Sequence, residues 1–401
     1  MKGFRRFYCR LFQGCMRIAI PFMPYRKPKM LESVDKIPQL LSNKRVDSVL
    51  LVTDKSIRAL GLTKTLEKKI IKEGIALNIF EDVVPNPTVE NVENGLKTYL
   101  QNNCSAIVAF GGGSVMDCAK MIGARVARPN KSVEKMKGLL KVGKKLPVLV
   151  AVPTTAGTGS ETTITAVITN QDTHYKYTVN DFSLIPTHAV LDYKVTVGLP
   201  AHITSTTGMD ALTHAVEAYI GKSTTKDTRK YAEDAVVLIV DNIKKVYDAP
   251  TDKEARKNML IASFYAGLAF RKSYVGYVHA IAHSLGGKYG VPHGLANAVI
   301  LPHMLEEYGE KCYVALSKLA KVAKLARPED SDEAASKKFI QWIKETNKYM
   351  SIPSTIDKIE LKDIVDMATN ADKEANPLYP VPKLMDREDL MLMYKKIGGI
   401  E

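Results

Sequence analysis

From residue 46 onward, short apolar runs alternate with stretches of helical period. "VDSVLLVTD" (46–54), "IALNIF" (75–80), "SAIVAF" (105–110) and "LPVLVAV" (146–152) are nearly continuous apolar runs. Between them lie "IRALGLTKTLEKKIIKEG", "EDVVPNPTVENVENGLKTYLQNN" and "GGGSVMDCAKMIGARVA". A strand that is apolar on both faces must be covered on both faces, which is the condition of a parallel sheet wound with helices. After Pro200 the texture changes. "TTGMDALTHAVEAYI", "RKYAEDAVVLIVDNIKKVYD", "RKNMLIASFYAGLAF" and "EKCYVALSKLAKVAKL" are helical by period and length. A chain of 401 residues also exceeds one ordinary core. The expected fold is an α/β N-terminal domain with a Rossmann-like parallel sheet, followed by an all-helical C-terminal domain. The expected boundaries are a basic extension over 1–29, the α/β domain over 30–199 and the helical domain over 200–401.

Net charge and cysteines exclude several classes. The formal charge of +14 is concentrated: the first 31 residues carry eight Lys/Arg and no acid, leaving +6 for the other 370. The remaining basic runs read as solvated helix faces, so no nucleic-acid partner is expected. No run of 18 apolar residues occurs, so no membrane span is expected. Five scattered cysteines give no disulfide framework and fit a reducing cytoplasm. The segment "MKGFRRFYCRLFQGCMRIAIPFMPYRKPK" has Arg17 interrupting its apolar run, which argues against a secretory signal. It could be an amphipathic helix with weak membrane-surface association. The favoured reading is an extension that packs on its own protein or a sister subunit, so that deleting residues 1–28 spares activity.

Two small-residue turns follow neighbouring strands. In "IVAFGGGSVMDCAK", Gly111, Gly112 and Gly113 permit a close approach to a ligand and positive φ. The N–H groups opening the next helix suit a pyrophosphate, and Ser114 can cap that helix or bond a phosphate oxygen. In "VPTTAGTGSETT", Thr154, Thr155 and Thr158 put hydroxyls at a strand's carboxyl end, where such sheets hold ligands. The bland alternative for both is a turn that satisfies its own backbone. Asp54 ends the first strand. It can accept from a ribose 2′-hydroxyl and repel a 2′-phosphate, favouring NAD over NADP, or it can simply cap the next helix.

The helical half carries a metal-type constellation. Asp210 and His214 are four apart on one helical face, and His279 and His283 share a face in the same way. Gly286 and Gly287 read as the end of that second helix, and Pro292 and His293 introduce a third. One carboxylate and up to four imidazoles suit Fe²⁺, Zn²⁺, Co²⁺ or Ni²⁺. Spacing alone leaves open which of His279 and His283 ligates.

At these residues the chain resembles the iron-containing (group III) alcohol dehydrogenases, over about nine-tenths of its length. The motifs are "GGGSVMDCAK", "PTTAGTGSE", "TTGMDALTHAVEAY" and "YVHAIAHSLGGKYGVPHGLANAVILP". The resemblance implies the two-part architecture shared with dehydroquinate synthase. It implies a metal on Asp210, His214, His279 and His293, Fe²⁺ with Zn²⁺ as alternative, and His283 on the substrate side in the proton path. It implies NAD on Asp54, Asn86, Gly112, Gly113, Ser114, Thr154, Thr155, Thr158, Thr163 and Lys176, with Asn86 in "PNPTVENV" and Lys176 in "HYK". The implied activity is hydride transfer between a primary alcohol or aldehyde and a nicotinamide, in a homo-oligomer, expected to be a dimer. Alternatives are a diol or lactaldehyde oxidoreductase and a dehydroquinate synthase-like NAD-dependent lyase. Phe264, Phe270 and Tyr274 could line a substrate pocket or belong to the core.

Overall fold

The computed structural model describes residues 1, 3–171 and 175–400, with Tyr175 described by its backbone only. Lys2 of the basic extension and His174 of "HYK" lie outside these residues. The chain divides into two compact units, residues 24–198 and residues 1–23 with 199–401.

Residues 24–198 form the α/β unit. Its strands are β1 (Lys29–Leu31), β2 (Ser48–Val52), β3 (Ala76–Phe80), β4 (Ala106–Gly111), β5 (Gly138–Leu139), β6 (Val148–Pro153), β7 (Thr165–Asn170), β8 (Tyr175–Asn180) and β9 (His188–Val190). Six of them make a parallel sheet in the order β1-β9-β6-β4-β2-β3, and β5, β8 and β7 make a small second sheet. The four strands legible in the sequence are β2, β3, β4 and β6. The five others were not: β1, β5 and β9 are only two or three residues long, too short for a period. Every residue of β2 and β4 is buried, as helices on both faces require. Val52 pairs with Ala109 and Gly111 with Pro153, so β2, β4 and β6 end side by side.

In chain order, α1 (Gly3–Ala19) belongs to the other unit, while α2 (Ile37–Asn43), α3 (Lys55–Ala59), α4 (Lys64–Lys72), α5 (Val89–Gln101) and α6 (Gly113–Ala127) belong to the α/β unit. The helical unit continues with α7 (Ala201–Ile220), α8 (Lys226–Asp248), α9 (Lys253–Ser273), α10 (Tyr277–Tyr289), α11 (His293–Tyr308), α12 (Tyr313–Val322), α13 (Asp332–Tyr349), α14 (Leu361–Ala375) and α15 (Arg387–Gly398). From Gly208 to Ile220, α7 is buried all round and forms the centre of this unit. α10 runs through Gly286 and Gly287 and stops at Gly290, which takes the left-handed conformation with φ +66°. The expected stop was thus three residues early, because a left-handed cap rather than a glycine as such ends a helix.

The basic extension is folded and packs on its own protein. Arg5 makes a two-pronged hydrogen bond to Asp372, at 2.8 Å to each oxygen. Arg10 donates to the carbonyls of Val381 and Pro382, and the buried Gln13 donates to Pro377 and Tyr379. All of these partners lie in the helical unit. Among the described residues no helix is long and apolar enough to cross a membrane.

Candidate dinucleotide and metal sites

In the α/β unit, Asp54, Gly112, Gly113, Ser114, Thr154 and Thr155 follow the carboxyl ends of β2, β4 and β6, while Lys176 lies in β8 of the small sheet. Gly112 is the N-cap of α6 and brings no side chain to the first-turn N–H groups, which is the arrangement that leaves them for an anion. Ser114 is therefore not the cap; its Oγ accepts from the Asn86 N–H at 3.2 Å. The expected positive φ is also absent, since Gly112 has φ −79°. What these positions need is space: a methyl group on Gly113 would lie 2.9 Å from Thr158 Cγ2. Thr155 Oγ1 is buried without a hydrogen-bond partner, next to Gly112, and a hydroxyl so placed suits a ligand oxygen.

The other residues of the set divide. Lys176 Nζ donates to Asn86 Oδ1 at 3.0 Å, and burial pushes its ammonium down. Asn86 takes φ +58°, a left-handed position asparagine tolerates. Thr154 pairs its N–H with Gly111 O at 3.1 Å. Asp54 caps α3, its Oδ1 accepting from the Ile57 N–H at 2.9 Å. Thr163 lies inside its turn, bonded to Lys120 at 2.9 Å.

Lys120 was not singled out in the sequence. Its fully buried ammonium donates to Ser160 Oγ at 2.8 Å, Thr163 Oγ1 and the Thr165 carbonyl, tying the threonine turn to α6. Burial pushes its pKa down to about 8, against partial support from Asp117 and Glu161. Between pH 8 and the ordinary 10.5 the unfolded chain binds the proton that the native state has lost, so stability should rise with pH across that window. Lys120→Met should abolish that rise, visible as the difference between wild-type and variant unfolding midpoints at either end of the window; equal pH slopes would refute it.

In the helical unit, Asp210, His214, His279 and His293 each offer a ligand atom, and these atoms all lie within 4.8 Å of one another. Asp210 Oδ1 is 3.5 Å from His293 Nε2 and 3.9 Å from both His279 Nε2 and His214 Nδ1. Asp210 and His214 come from α7, His279 from α10 and His293 from the first residue of α11. α11 reaches α7 because Gly294 has no side chain: a methyl group there would lie 2.6 Å from the Thr206 carbonyl. Burial and the neighbouring imidazoles hold His279 well below its ordinary pKa, in the neutral form a metal requires. One carboxylate and three imidazoles so close are a donor set that fits a divalent ion of borderline softness.

Around this quartet stand groups the sequence reading missed. Glu217 is fully buried and accepts from the N–H groups of Gly276 and Val278 at 2.8 and 2.9 Å and from His279 Nδ1 at 2.6 Å. That fixes His279 Nε2 as the atom facing Asp210. Burial pushes the Glu217 carboxyl up, but N–H donors at both of its oxygens, and no acceptor for an acid proton among these contacts, hold it as the carboxylate. Asn297 Nδ2 lies 2.7 Å from Asp210 Oδ1 and 3.1 Å from His293 Nε2. Helical spacing offered the signal: Glu217 is seven residues after Asp210, and Asn297 four after His293.

His283 stands beside the quartet. Its ring stacks on His293 with centroids 5.1 Å apart, and its Nδ1 lies 2.7 Å from Glu374 Oε1. The same oxygen accepts from Tyr379 OH at 2.8 Å. Tyr379 belongs to the segment that Gln13 and Arg10 hold from α1. Removing residues 1–28 is therefore expected to lower turnover, against the expectation from sequence; a truncated protein with unchanged kcat would restore that expectation. Of the aromatic candidates, Phe264 is core and Phe270 stacks on His214 with centroids 4.1 Å apart. Tyr274 caps the end of α9 with φ +62°, a conformation that costs about 1–3 kcal/mol in a non-glycine residue.

A parallel-sheet unit with a candidate anion cradle and a helical unit with a candidate metal quartet are the features to compare with known proteins. Residues 31–193 match the model of the iron-containing alcohol dehydrogenases, and residues 204–398 match the C-terminal model of the same family. The chain belongs to the iron-containing alcohol dehydrogenase family. It is 42% identical over 288 residues to the 1,3-propanediol dehydrogenase of Klebsiella pneumoniae, covering 71% of this chain and 73% of that protein. It is 37% identical over 333 residues to the NAD-dependent methanol dehydrogenase of Bacillus methanolicus, covering 80% and 85%. The crystal structure of a 1,3-propanediol oxidoreductase superposes with a TM-score of 0.89 at 33% identity, covering 93% of this chain and 99% of that one.

Proposed function

We propose that the protein is an NAD-dependent, iron-loaded alcohol dehydrogenase and aldehyde reductase acting on small primary alcohols and diols. The convergence of Asp210, His214, His279 and His293 carries this reading. A divalent ion held by these four would act as a Lewis acid on the substrate oxygen. In the oxidative direction the alcohol carbon gives up a hydride to the nicotinamide and its oxygen gives up a proton. His283 accepts that proton, with Glu374 behind it to stabilise the imidazolium. Gly112, Gly113 and the α6 N-terminus cradle the pyrophosphate, with Thr155 and Thr158 beside it. The propanediol and methanol dehydrogenases among the relatives support small alcohols and diols as the substrate class. The lyase alternative needs a cation for a substrate anion, and the nearby Lys288 is paired with Asp363 at 2.8 Å.

The reading includes a reducing cytoplasm, supported by five free cysteines, and a homodimer, the oligomeric state that the family resemblance implies. Elemental analysis of anaerobically purified protein, followed by an alcohol and aldehyde panel with NAD and NADP, tests the whole. Absence of NADH oxidation with butyraldehyde and every other aldehyde would sink it. Asp54→Gly tests the cofactor assignment. Glycine is tolerated at an N-cap at a cost of a few tenths of a kcal/mol, so the variant should fold. It should admit NADPH by lifting the repulsion of the 2′-phosphate; an unchanged preference would leave Asp54 as a helix cap alone.

A further inference from the structure

α1 is amphipathic in the reverse sense to a helix covering a core. Its protein side carries Cys9, 1% exposed, and Gln13, with Arg5 and Arg10 reaching down to the helical unit. Its outer side carries Phe4, Phe7, Tyr8, Leu11, Cys15 and Ile18, spaced as one stripe at 3.6 residues per turn. Phe4 is 86% exposed, Phe7 66%, Leu11 55% and Ile18 72%, and Phe22 extends the stripe beyond the helix. The helix thus docks through hydrogen bonds and shows its apolar face to solvent. Arg6 and Arg17 are exposed on the side of the helix that carries Gln13 and Arg10, and no acid occurs before Glu32.

We propose that this face seats the protein on an anionic lipid surface. The rings and aliphatic chains would enter the boundary between headgroups and acyl chains, with the arginines pairing to lipid phosphates. Seventeen residues with four arginines cannot span a bilayer, so the helix lies in the plane of the surface. A second copy is the poorer occupant. Two α1 stripes packed on each other would bring together two segments that each carry eight Lys/Arg and no acid within the first 31 residues, with nothing on either to neutralise the other. Anionic headgroups supply that neutralisation.

The test uses full-length protein, because truncation would also free the segment that carries Tyr379. Wild-type protein is sedimented with vesicles of phosphatidylcholine alone and of phosphatidylcholine with phosphatidylglycerol. It should pellet with the second and be released by added salt. Phe7→Glu with Leu11→Glu should stay in the supernatant, and Arg6→Glu with Arg17→Glu should bind roughly 30-fold more weakly, at about 1 kcal/mol per arginine. These four side chains are exposed, so both variants should keep the wild-type melting temperature and activity in solution. Failure to pellet, equal binding to both vesicle types, or full binding by the arginine variant would overturn the proposal. So would self-association in lipid-free buffer that Phe7→Glu with Leu11→Glu abolishes, which would give the face to a second copy.

Discussion

His279→Ala should leave the protein without its metal and lower its turnover by about a thousandfold. His279 is the most enclosed of the three imidazoles: its Nδ1 is held by Glu217 and its Nε2 faces Asp210 across 3.9 Å. Removing it leaves two imidazoles and one carboxylate, below the four ligands such ions prefer. A metal acting as Lewis acid supplies several kcal/mol of transition-state stabilisation, and each 1.36 kcal/mol is a factor of ten. Elemental analysis checks the metal and steady-state kinetics check the rate. Because the substitution also opens a small void, melting is compared with and without added Fe²⁺: wild type should be stabilised and the variant should not. Full metal retention would take His279 out of the ligand set.

Glu217→Ala should destabilise the metal-free protein by about 3–5 kcal/mol, the cost of leaving buried partners of a charged group uncompensated. The carboxylate satisfies two backbone N–H groups at the start of α10 and one imidazole N–H, and none of them has water to fall back on. Glu217→Gln keeps the volume and one acceptor but turns an amide N–H₂ toward a donor, so it should cost less, about 1–3 kcal/mol. Denaturant unfolding in the presence of chelator separates this effect from lost metal. A loss below about 1 kcal/mol for the alanine variant would show that α10 starts without Glu217. Metal affinity should fall 10- to 100-fold in either variant, because His279 loses its orienting partner.

The fold was legible because burial on both faces writes a plain signature: β2, β4 and β6 are runs that no solvated strand could carry. β7 and β8 were missed because they pair in a small separate sheet and lack such runs. The quartet was legible as a set of residue types at helical spacing, while the choice between His279 and His283 came only from resemblance. The structure separates them physically: Glu217 turns the ring of His279 toward Asp210, and Glu374 engages His283. Glu374 could not be assigned from spacing, since it lies 91 residues from His283, whereas Glu217 shares a helical face with Asp210. Ser114 and Gly112 show the opposite failure. Their local chemistry allowed capping and positive φ, but in the structure it is Gly113 that must be glycine, because the Thr158 turn approaches it closely.

The way α1 is attached has a consequence for how the chain matures. Its partners Asp372, Pro377, Tyr379, Val381 and Pro382 lie 364 to 372 residues downstream. At about 5–20 residues per second on the ribosome, α1 waits roughly 20 to 75 seconds before its docking surface exists. During that interval both of its faces are bare, the apolar stripe and the arginines together. α1 thus emerges hundreds of residues ahead of the surface it docks on, and the stretch around Tyr379 beside His283 gains its contacts with Arg10 and Gln13 only once that surface is made.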